Sequence, residues 1–484
     1  MKLAFSVAKK SDAPSSPAMR TSAKYRSLAR PASSESEGWC TALHAMAILA
    51  ILASVAALCA ACLSAAAEHR VAAPAIFDSD PHHIWNRTYG CLFVRKSADG
   101  AEYGADALDP LLWYETRHLL TGDSHRRALA CLDEFLRSHA ERTVQDPLKR
   151  AIFQRDLWAI FDWAAAVTDQ LPRERRELES RLAKAIRRVA LTPEQVRALR
   201  DTYAAAVAAQ QFVIAYDPHN PRQPFLPPDL FRGDGPWLCL SAHIAEPTAI
   251  THFSGRSRFL VFIHLPGGRE ETLAYVRKLR SGSEPPMIRN ASGNQLLNLA
   301  LPQFPFGTQV ALVRQVILLD AEGKLLPTAL TESVQLRVYH AITPGTPYMN
   351  YINGPSSRDQ DFFEFRMSRP ELFAGRNGGL VAVHPGDLEF ATFQTHGMDE
   401  FDPKHALTGQ TDILRRCLGC HSDSGIHSVQ SRLQWMKPPQ PAAGQSILDA
   451  LDASIQWETD VTVAHKRHEA DFELLQSLWR AERE

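Results

Sequence analysis

The residues with the most specific chemical spacing are Cys417 and Cys420, three positions apart, with His421 directly after the second cysteine. This C-x-x-C-H order is the signature of covalent haem attachment. Each thiol can add across one vinyl group of a haem, and the imidazole that follows is placed to bind the iron from one face. The sequence therefore predicts one covalent haem c, with Cys417 and Cys420 as thioethers and His421 as proximal iron ligand.

Two other uses of a cysteine pair compete with haem attachment. A thioredoxin-like dithiol places C-x-x-C at the start of a helix that follows a strand, and residues 411–416 show no strand pattern. A structural zinc site needs further Cys or His ligands at short spacing, and no second C-x-x-C follows. Haem attachment is therefore favoured over both, which stay open as alternatives.

Residues 409–421, with the sequence Gly-Gln-Thr-Asp-Ile-Leu-Arg-Arg-Cys-Leu-Gly-Cys-His, resemble the short helix and haem-binding turn of c-type cytochromes. The resemblance is limited to residues 401–484 and implies a small helical haem domain there. It also implies a C-terminal helix packed on the helix before the motif. In that family a methionine well downstream usually binds the iron from the other side, and the only methionine after His421 is Met436.

The sixth iron position decides which chemistry the haem supports. A methionine thioether raises the reduction potential and closes the iron, which suits electron transfer, whereas an open position admits peroxide or other small ligands. Met436 is the candidate distal ligand, because the fifteen residues after His421 can extend to about 50 Å and pass round the haem edge. His427 or another histidine, Met398, and no protein ligand are the alternatives.

The N-terminal residues predict export. A polar segment of about forty residues precedes an apolar run, 41–67, which carries no formal charge and ends in three alanines before Glu68, as a signal-peptidase site does. The apolar core, 45–63, is also long enough to span a bilayer. Residues 1–67 are therefore a signal peptide or a membrane anchor, with lipid modification of Cys62 as a third alternative. We expect a periplasmic protein, or one anchored to the membrane and facing the periplasm.

Three cysteines remain once the signal and the haem motif are set aside, namely Cys91, Cys131 and Cys239. They allow at most one internal disulfide with one thiol left over, and the sequence does not select the pair. Three separate buried thiols are an equal alternative.

The overall charge of the chain argues against nucleic acid as a partner. Lys plus Arg is 53 and Asp plus Glu is 54, so the net charge of -1 provides no global field that would attract nucleic acid. The expected partner is a redox protein or a small-molecule electron donor or acceptor, and membrane contact is expected only through the N-terminal segment.

The hydrophobic pattern changes along the chain. Residues 110–216 are helical in pattern, with strong helix starts at Asp146-Pro147 and Thr192-Pro193, where a capping side chain precedes a proline at the first helical position. A buried strand is predicted over 258–265, followed by a turn and a helix over 269–279. A hairpin is predicted around the glycine-containing turn at 320–324.

These patterns predict a multidomain α+β protein with an N-terminal helical bundle, a central β-rich domain and a small C-terminal helical, cytochrome c-like haem segment. The expected divisions are 1–67 (signal peptide or anchor), 68–109 (linker), 110–216 (helical domain), 217–235 (Pro-rich junction), 236–400 (β-rich mixed domain) and 401–484 (haem domain). Electron transfer is the predicted function. The alternatives are a haem-dependent oxidoreductase and a haem-bearing ligand-binding or sensor protein, for which the catalytic or binding residues are unassigned.

Overall fold

The structure is a computed structural model. It describes residues 74–167, 171–241, 247–249, 252, 256–281, 287–289, 295–298, 300–340, 359–390, 399, 401–402, 404, 409–421, 425–430 and 451–482. The side chains of Cys417 and Cys420 are outside the described part, as are the predicted export segment, Met398 and Met436. The chain from Val71 to Glu484 belongs to one compact unit.

Helices dominate the first half of the described chain. In chain order the elements are α1 (Ile84–Phe93), β1 (Arg95–Lys96), β2 (Glu102–Tyr103), α2 (Gly122–Arg137), a 3-10 turn (Ala140–Arg142), α3 (Pro147–Ala166), α4 (Pro172–Val189), α5 (Pro193–Arg197) and α6 (Thr202–Ala208). The predicted helix starts are confirmed: the Asp146 carboxylate accepts from the first-turn backbone of α3, and Thr192 forms a capping box with Gln195 at the start of α5. These signals work because a side-chain oxygen satisfies backbone N–H groups that lack a partner within the helix.

The second half of the chain is built around an antiparallel sheet. Its elements are β3 (Leu238–Leu240), β4 (Ser257–His264), α7 (Arg269–Ser281), β5 (Met287–Arg289), β6 (Gln295–Leu297), β7 (Gln309–Leu319), β8 (Leu325–Tyr339), β9 (Gln360–Met367), α8 (Arg369–Phe373), a 3-10 turn (Asn377–Gly379), β10 (Leu380–Ala382), β11 (Leu388–Phe390), β12 (Gln410–Asp412), α9 (Ile413–Cys420), α10 (His427–Gln430), α11 (Leu451–Arg467) and α12 (Ala470–Ala481). Among the described strands, six form one sheet in the order β10-β9-β8-β7-β4-β3. The predicted strand over 258–265, the helix after it and the hairpin at 320–324 are confirmed, and so is the mixed α+β class.

The helices and the sheet share a hydrophobic core. Four consecutive residues at the end of β7, 316–319, are buried in the same cluster as the side chains of α1 to α5. Since successive strand residues point to opposite faces, the sheet is covered on both sides there. The other half of β7, with Val310 and Val313, packs into a second cluster that also holds Ile426 and Val429 from the segment after the C-x-x-C-H motif. The segment directly after the cysteine motif therefore packs on the sheet.

The two C-terminal helices pack on earlier parts of the chain. Phe472, Leu475 and Trp479 form a buried apolar face of α12, and the Trp479 indole N–H donates to the Ala183 carbonyl at 2.8 Å. The main contacts of α12 are with α3 and α4, and those of α11 are with β3 and β4. The packing implied by the cytochrome resemblance, in which the last helix lies on the helix before the motif, is therefore replaced by packing on the helical layer.

A disulfide joins α1 and α2 through Cys91 and Cys131. Cys239 is a buried free thiol on β3, and burial raises its pKa. The structure thereby selects one pair among the arrangements that the sequence left open. In the part of the chain that the structure describes, no helix combines the length and the apolar character that crossing a bilayer would require.

Candidate haem site

The cysteine motif follows a short strand. β12 pairs antiparallel with β11, and α9 starts directly after it at Ile413. The backbone N–H of Arg415 donates to the Asp412 carboxylate at 2.9 Å, which caps the start of this helix. Residues 411–416 show no strand pattern in the sequence, yet Thr411 and Asp412 belong to β12 and pair with β11.

The position of the cysteines within α9 still distinguishes them from a thioredoxin-like dithiol. Cys417 and Cys420 are the fifth and eighth residues of the eight-residue helix, at its carboxyl end. Thiols at a helix N-terminus are activated because the positive end of the helix dipole lowers their pKa. The carboxyl end gives no such activation, so the helix supports an attachment role better than a redox dithiol role.

His421 is half-buried and is held in a defined tautomer. Its Nδ1 lies 2.6 Å from the carbonyl oxygen of Ser428. A carbonyl oxygen only accepts, so Nδ1 donates and the neutral ring carries its lone pair on Nε2. A backbone carbonyl bonded to one ring nitrogen is the arrangement that orients a metal-binding histidine and increases the basicity of the other nitrogen.

The backbone on both sides of that hydrogen bond is anchored to the sheet. The His421 carbonyl accepts from Gln360 Nε2 at 2.9 Å and from an Arg337 guanidinium nitrogen at 3.3 Å. The Ser428 hydroxyl is 2.6 Å from the hydroxyl of Tyr339 and also donates to the Gly425 carbonyl at 2.7 Å. Strands β8 and β9 therefore fix the imidazole and its carbonyl partner relative to each other.

His421 lines a cavity of about 960 Å³ in front of the sheet, a volume at the upper end of those that hold cofactors and other small ligands. Apolar wall residues include Phe259, Leu312 and Phe390, and charged ones include Arg314 and Arg366. The lining as a whole is mixed, because it also includes the carboxylates of Asp106, Asp109, Glu364, Asp387 and Glu389. Its apolar part suits a flat, largely apolar cofactor, and its arginines suit acidic substituents on that cofactor.

A second imidazole, that of His252, lines the same cavity. The planes of the His252 and His421 rings differ by 10°, and their centroids are 5.9 Å apart. Burial lowers the pKa of His252 to about 4, with a smaller contribution from the positive charges of Arg337 and Arg314. His252 is therefore a neutral imidazole at physiological pH.

A buried charge network supports the cavity wall. Arg314 pairs with Asp109 at 2.9 Å and with Glu332 at 3.0 Å, and Arg155 pairs with Glu332 at 2.6 Å and Asp109 at 2.7 Å. Burial alone would raise the pKa of Glu332, but the guanidinium groups of Arg314 and Arg155 outweigh it and hold that pKa below its ordinary value of 4.5. The same two arginines hold the pKa of Asp109 well below its usual value against the effect of burial.

A second set of ion pairs connects α9, which contains the cysteine motif, to the strands that form the cavity wall. The Glu389 carboxylate on β11 pairs with Arg366 on β9 and with Arg416, the residue before Cys417. Arg366 also pairs with Glu364. These contacts link α9, β11 and β9 next to the cysteines.

The candidate distal ligands that the sequence offered differ in where the structure places them. His427 begins α10 and is only 3% exposed, burial lowers its pKa, and it is not among the residues that line the cavity. Met436 and Met398 lie outside the described residues, so Met436 stays a prediction. The alternative of another histidine as distal ligand includes His252. It is 169 positions before His421 and stands in no ligand-like spacing, so no sequence signal singled it out.

The donor set at the cavity fits a haem. Within the described side chains, no group of three or more His, Cys, Asp or Glu residues is arranged to hold a metal ion. A haem needs no such group, because the porphyrin supplies four ligands and the protein supplies one or two. An Nε2 lone pair on His421 and a cavity beside it meet that requirement.

Comparisons of the chain with protein-family models, with curated proteins and with solved structures find no match.

Proposed function

We propose that this protein is an exported c-type haem protein that transfers electrons. The observation that carries the proposal is the hydrogen bond of His421 beside the cavity, in which Nδ1 donates to the Ser428 carbonyl at 2.6 Å. Nε2 is therefore the nitrogen that would bind iron. With Cys417 and Cys420 in the preceding helical turn, the thiols and the imidazole come from one short segment, as covalent attachment requires.

Each residue has a separate task. Cys417 and Cys420 attach the haem through thioether bonds, and His421 binds its iron from the proximal side. The Ser428 carbonyl holds the imidazole ring, while Gln360 and Arg337 hold the backbone that follows the motif. The haem supplies one-electron redox chemistry when bound. The partner is a redox protein or a small-molecule electron donor or acceptor.

The disulfide supports the export part of the proposal. Structural disulfides persist in oxidising compartments such as the periplasm and are rare in the cytosol. Cys91 and Cys131 pair within the helical layer, whereas a cytosolic chain would keep these thiols reduced. This observation agrees with the export signal predicted at residues 1–67, with a membrane anchor as its alternative.

The double variant Cys417→Ala/Cys420→Ala is expected to lose covalent haem completely, because each sulfur is one attachment point. Each single variant keeps at most one thioether. The measurement is haem staining of the denatured protein on a gel after expression in a host that exports and matures c-type haem proteins. Cys239→Ala, which removes the buried thiol on β3, is the matched control and should stain like the wild type. A double variant that still stains would refute the proposal.

The mature chain is expected to begin near Glu68, because the small-residue cleavage site directly precedes it. Intact mass of the protein from the same exporting host measures this start. A mass that retains residues 41–67 would show an anchored protein instead, and added acyl mass on Cys62 would show a lipoprotein.

Carbon monoxide distinguishes an electron carrier from a haem-dependent oxidoreductase or a ligand sensor. A reduced haem whose iron carries two protein ligands does not bind carbon monoxide readily, whereas an iron with an open position does. We expect the absorption spectrum of the reduced protein to stay unchanged on addition of the gas. A shifted spectrum would favour the oxidoreductase or sensor.

A further inference from the structure

We propose that His252 is the second axial ligand of the iron, so that the haem is bound by two histidines from distant parts of the chain. This inference rests on the proposed attachment of haem at Cys417 and Cys420 and specifies the other side of the same site. It replaces Met436 as the distal ligand.

The distance between the two rings is the first argument. An imidazole nitrogen binds a metal ion at about 2.0–2.1 Å, so two imidazoles on opposite sides of one ion have ring centres about 6 Å apart. The observed separation of the His252 and His421 centroids is 5.9 Å, with ring planes only 10° from parallel. The separation thus matches that of two ligands on one ion, and the nearly parallel planes are compatible with ligation in which the two Nε2 atoms face each other across the iron.

The shared cavity is the second argument. Among the described residues that line the 960 Å³ cavity, the two imidazoles are those of His252 and His421. His252 reaches the cavity from the segment before β4. Its ring centroid lies 6.0 Å from the ring centroid of Phe259, which is on β4. Its backbone N–H donates to the Ala249 carbonyl at 2.9 Å, which anchors the turn that presents it.

The rival histidine, His427, is in a different environment. It opens α10 beside Ile426 and Val429, which are buried in the core on the sheet. Its side chain is 3% exposed and does not line the cavity. To reach the iron, His427 would have to leave this buried position, directly before the Ser428 whose carbonyl orients His421.

Ligation by two histidines has chemical consequences. Both axial positions are filled, so the iron is closed to carbon monoxide and peroxide. An imidazole in place of a methionine thioether lowers the reduction potential, because the thioether favours the reduced iron. The expected redox partner is therefore one of low potential.

The test is His252→Gly in the full-length exported protein. Haem staining of the denatured variant comes first and should equal that of the wild type, because the thioethers do not involve His252. The reduced variant should then bind carbon monoxide, with a shifted absorption spectrum, whereas the wild type does not. Added imidazole should restore the wild-type spectrum by filling the space left by the side chain.

His427→Gln and Met436→Ala are the matched controls, and both should remain unreactive to carbon monoxide. His252→Met is a second variant that retains a ligand: it should raise the midpoint potential and add the weak red absorption band of Fe(III) bound to a methionine sulfur. These readouts do not depend on catalytic activity, and the His252→Met variant keeps the test valid if the glycine variant folds poorly.

The proposal on His252 fails if His252→Gly carries covalent haem and stays unreactive to carbon monoxide, and in that case only the distal ligand is wrong. A wild type that itself binds carbon monoxide contradicts both the distal ligand and electron transfer as the function, and favours the oxidoreductase or sensor. Absence of haem stain in the wild type is a different failure, which overturns the proposed function as well.

Discussion

Glu332→Ala is expected to lower the free energy of unfolding by about 3–5 kcal/mol, because removing one partner of a buried ion pair leaves the others without compensation. The Glu332 and Arg155 side chains are 0% exposed, and Arg314 is 8% exposed. Without the carboxylate, two buried guanidinium groups lose an acceptor. Chemical denaturation followed by circular dichroism measures the loss.

Glu194→Ala is the matched control, since Glu194 forms an ion pair with Arg197 in which both side chains are mostly exposed. Exposed pairs contribute little to stability, so this variant should unfold close to the wild type. Equal effects of the two substitutions would show that the buried network does not stabilise the fold.

The stability of the folded protein is expected to fall as the pH is lowered. The folded-state pKa of Glu332 lies below its ordinary value of 4.5, so its contribution to stability is present above that pH and is lost as the pH falls through the folded-state pKa. The same holds for Asp109. The wild type should therefore lose stability on acidification, and Glu332→Ala should show a shallower loss over this range.

Replacement of both Cys91 and Cys131 by serine is expected to cost about 4 kcal/mol, from the loop-closure entropy of a cross-link between residues 40 positions apart. The unfolded chain gains freedom when the bridge is removed, while α1 and α2 keep their contacts. The measurement is the denaturation midpoint with and without a thiol reductant.

The reductant provides the internal control for this prediction. It should lower the stability of the wild type to that of the serine variant and leave the variant unchanged. If Cys417 and Cys420 carry the proposed haem, their thioether bonds are not cleaved by thiols and do not contribute to the response. A wild type that is insensitive to the reductant would contradict the disulfide.

Local signals explain what the sequence predicted well. The starts of α3 and α5 are determined by the capping side chains of Asp146 and Thr192, which act within one helical turn. The long β7 and β8 hairpin was predictable because apolar runs flank a glycine-containing turn. β12 was missed because a three-residue strand is defined by its pairing with β11 rather than by its own pattern.

The site was predictable only where its residues are neighbours in sequence. The C-x-x-C-H order predicts haem-binding roles for Cys417, Cys420 and His421 directly. The Ser428 carbonyl is a backbone group, so no residue type marks it. His252 comes to His421 only because the segment before β4 and the segment held by β8 and β9 meet in front of one sheet, in which β7 separates β4 from β8. A single sequence contains no sign of that long-range contact.

The edges of the main sheet bear on how the protein behaves in concentrated solution. Among the described strands, the outermost are β3 and β10, each three residues long, while β7 and β8 at the centre have 11 and 15 residues. An unpaired strand edge is a template on which another chain can add a strand, and short edges limit that risk. The two longest strands thus have both backbone edges paired within the molecule, and α11 packs against β3 at one side. Aggregation is therefore expected to begin from partly unfolded chains in which β7 and β8 lose these neighbours, and not from association of folded molecules edge to edge.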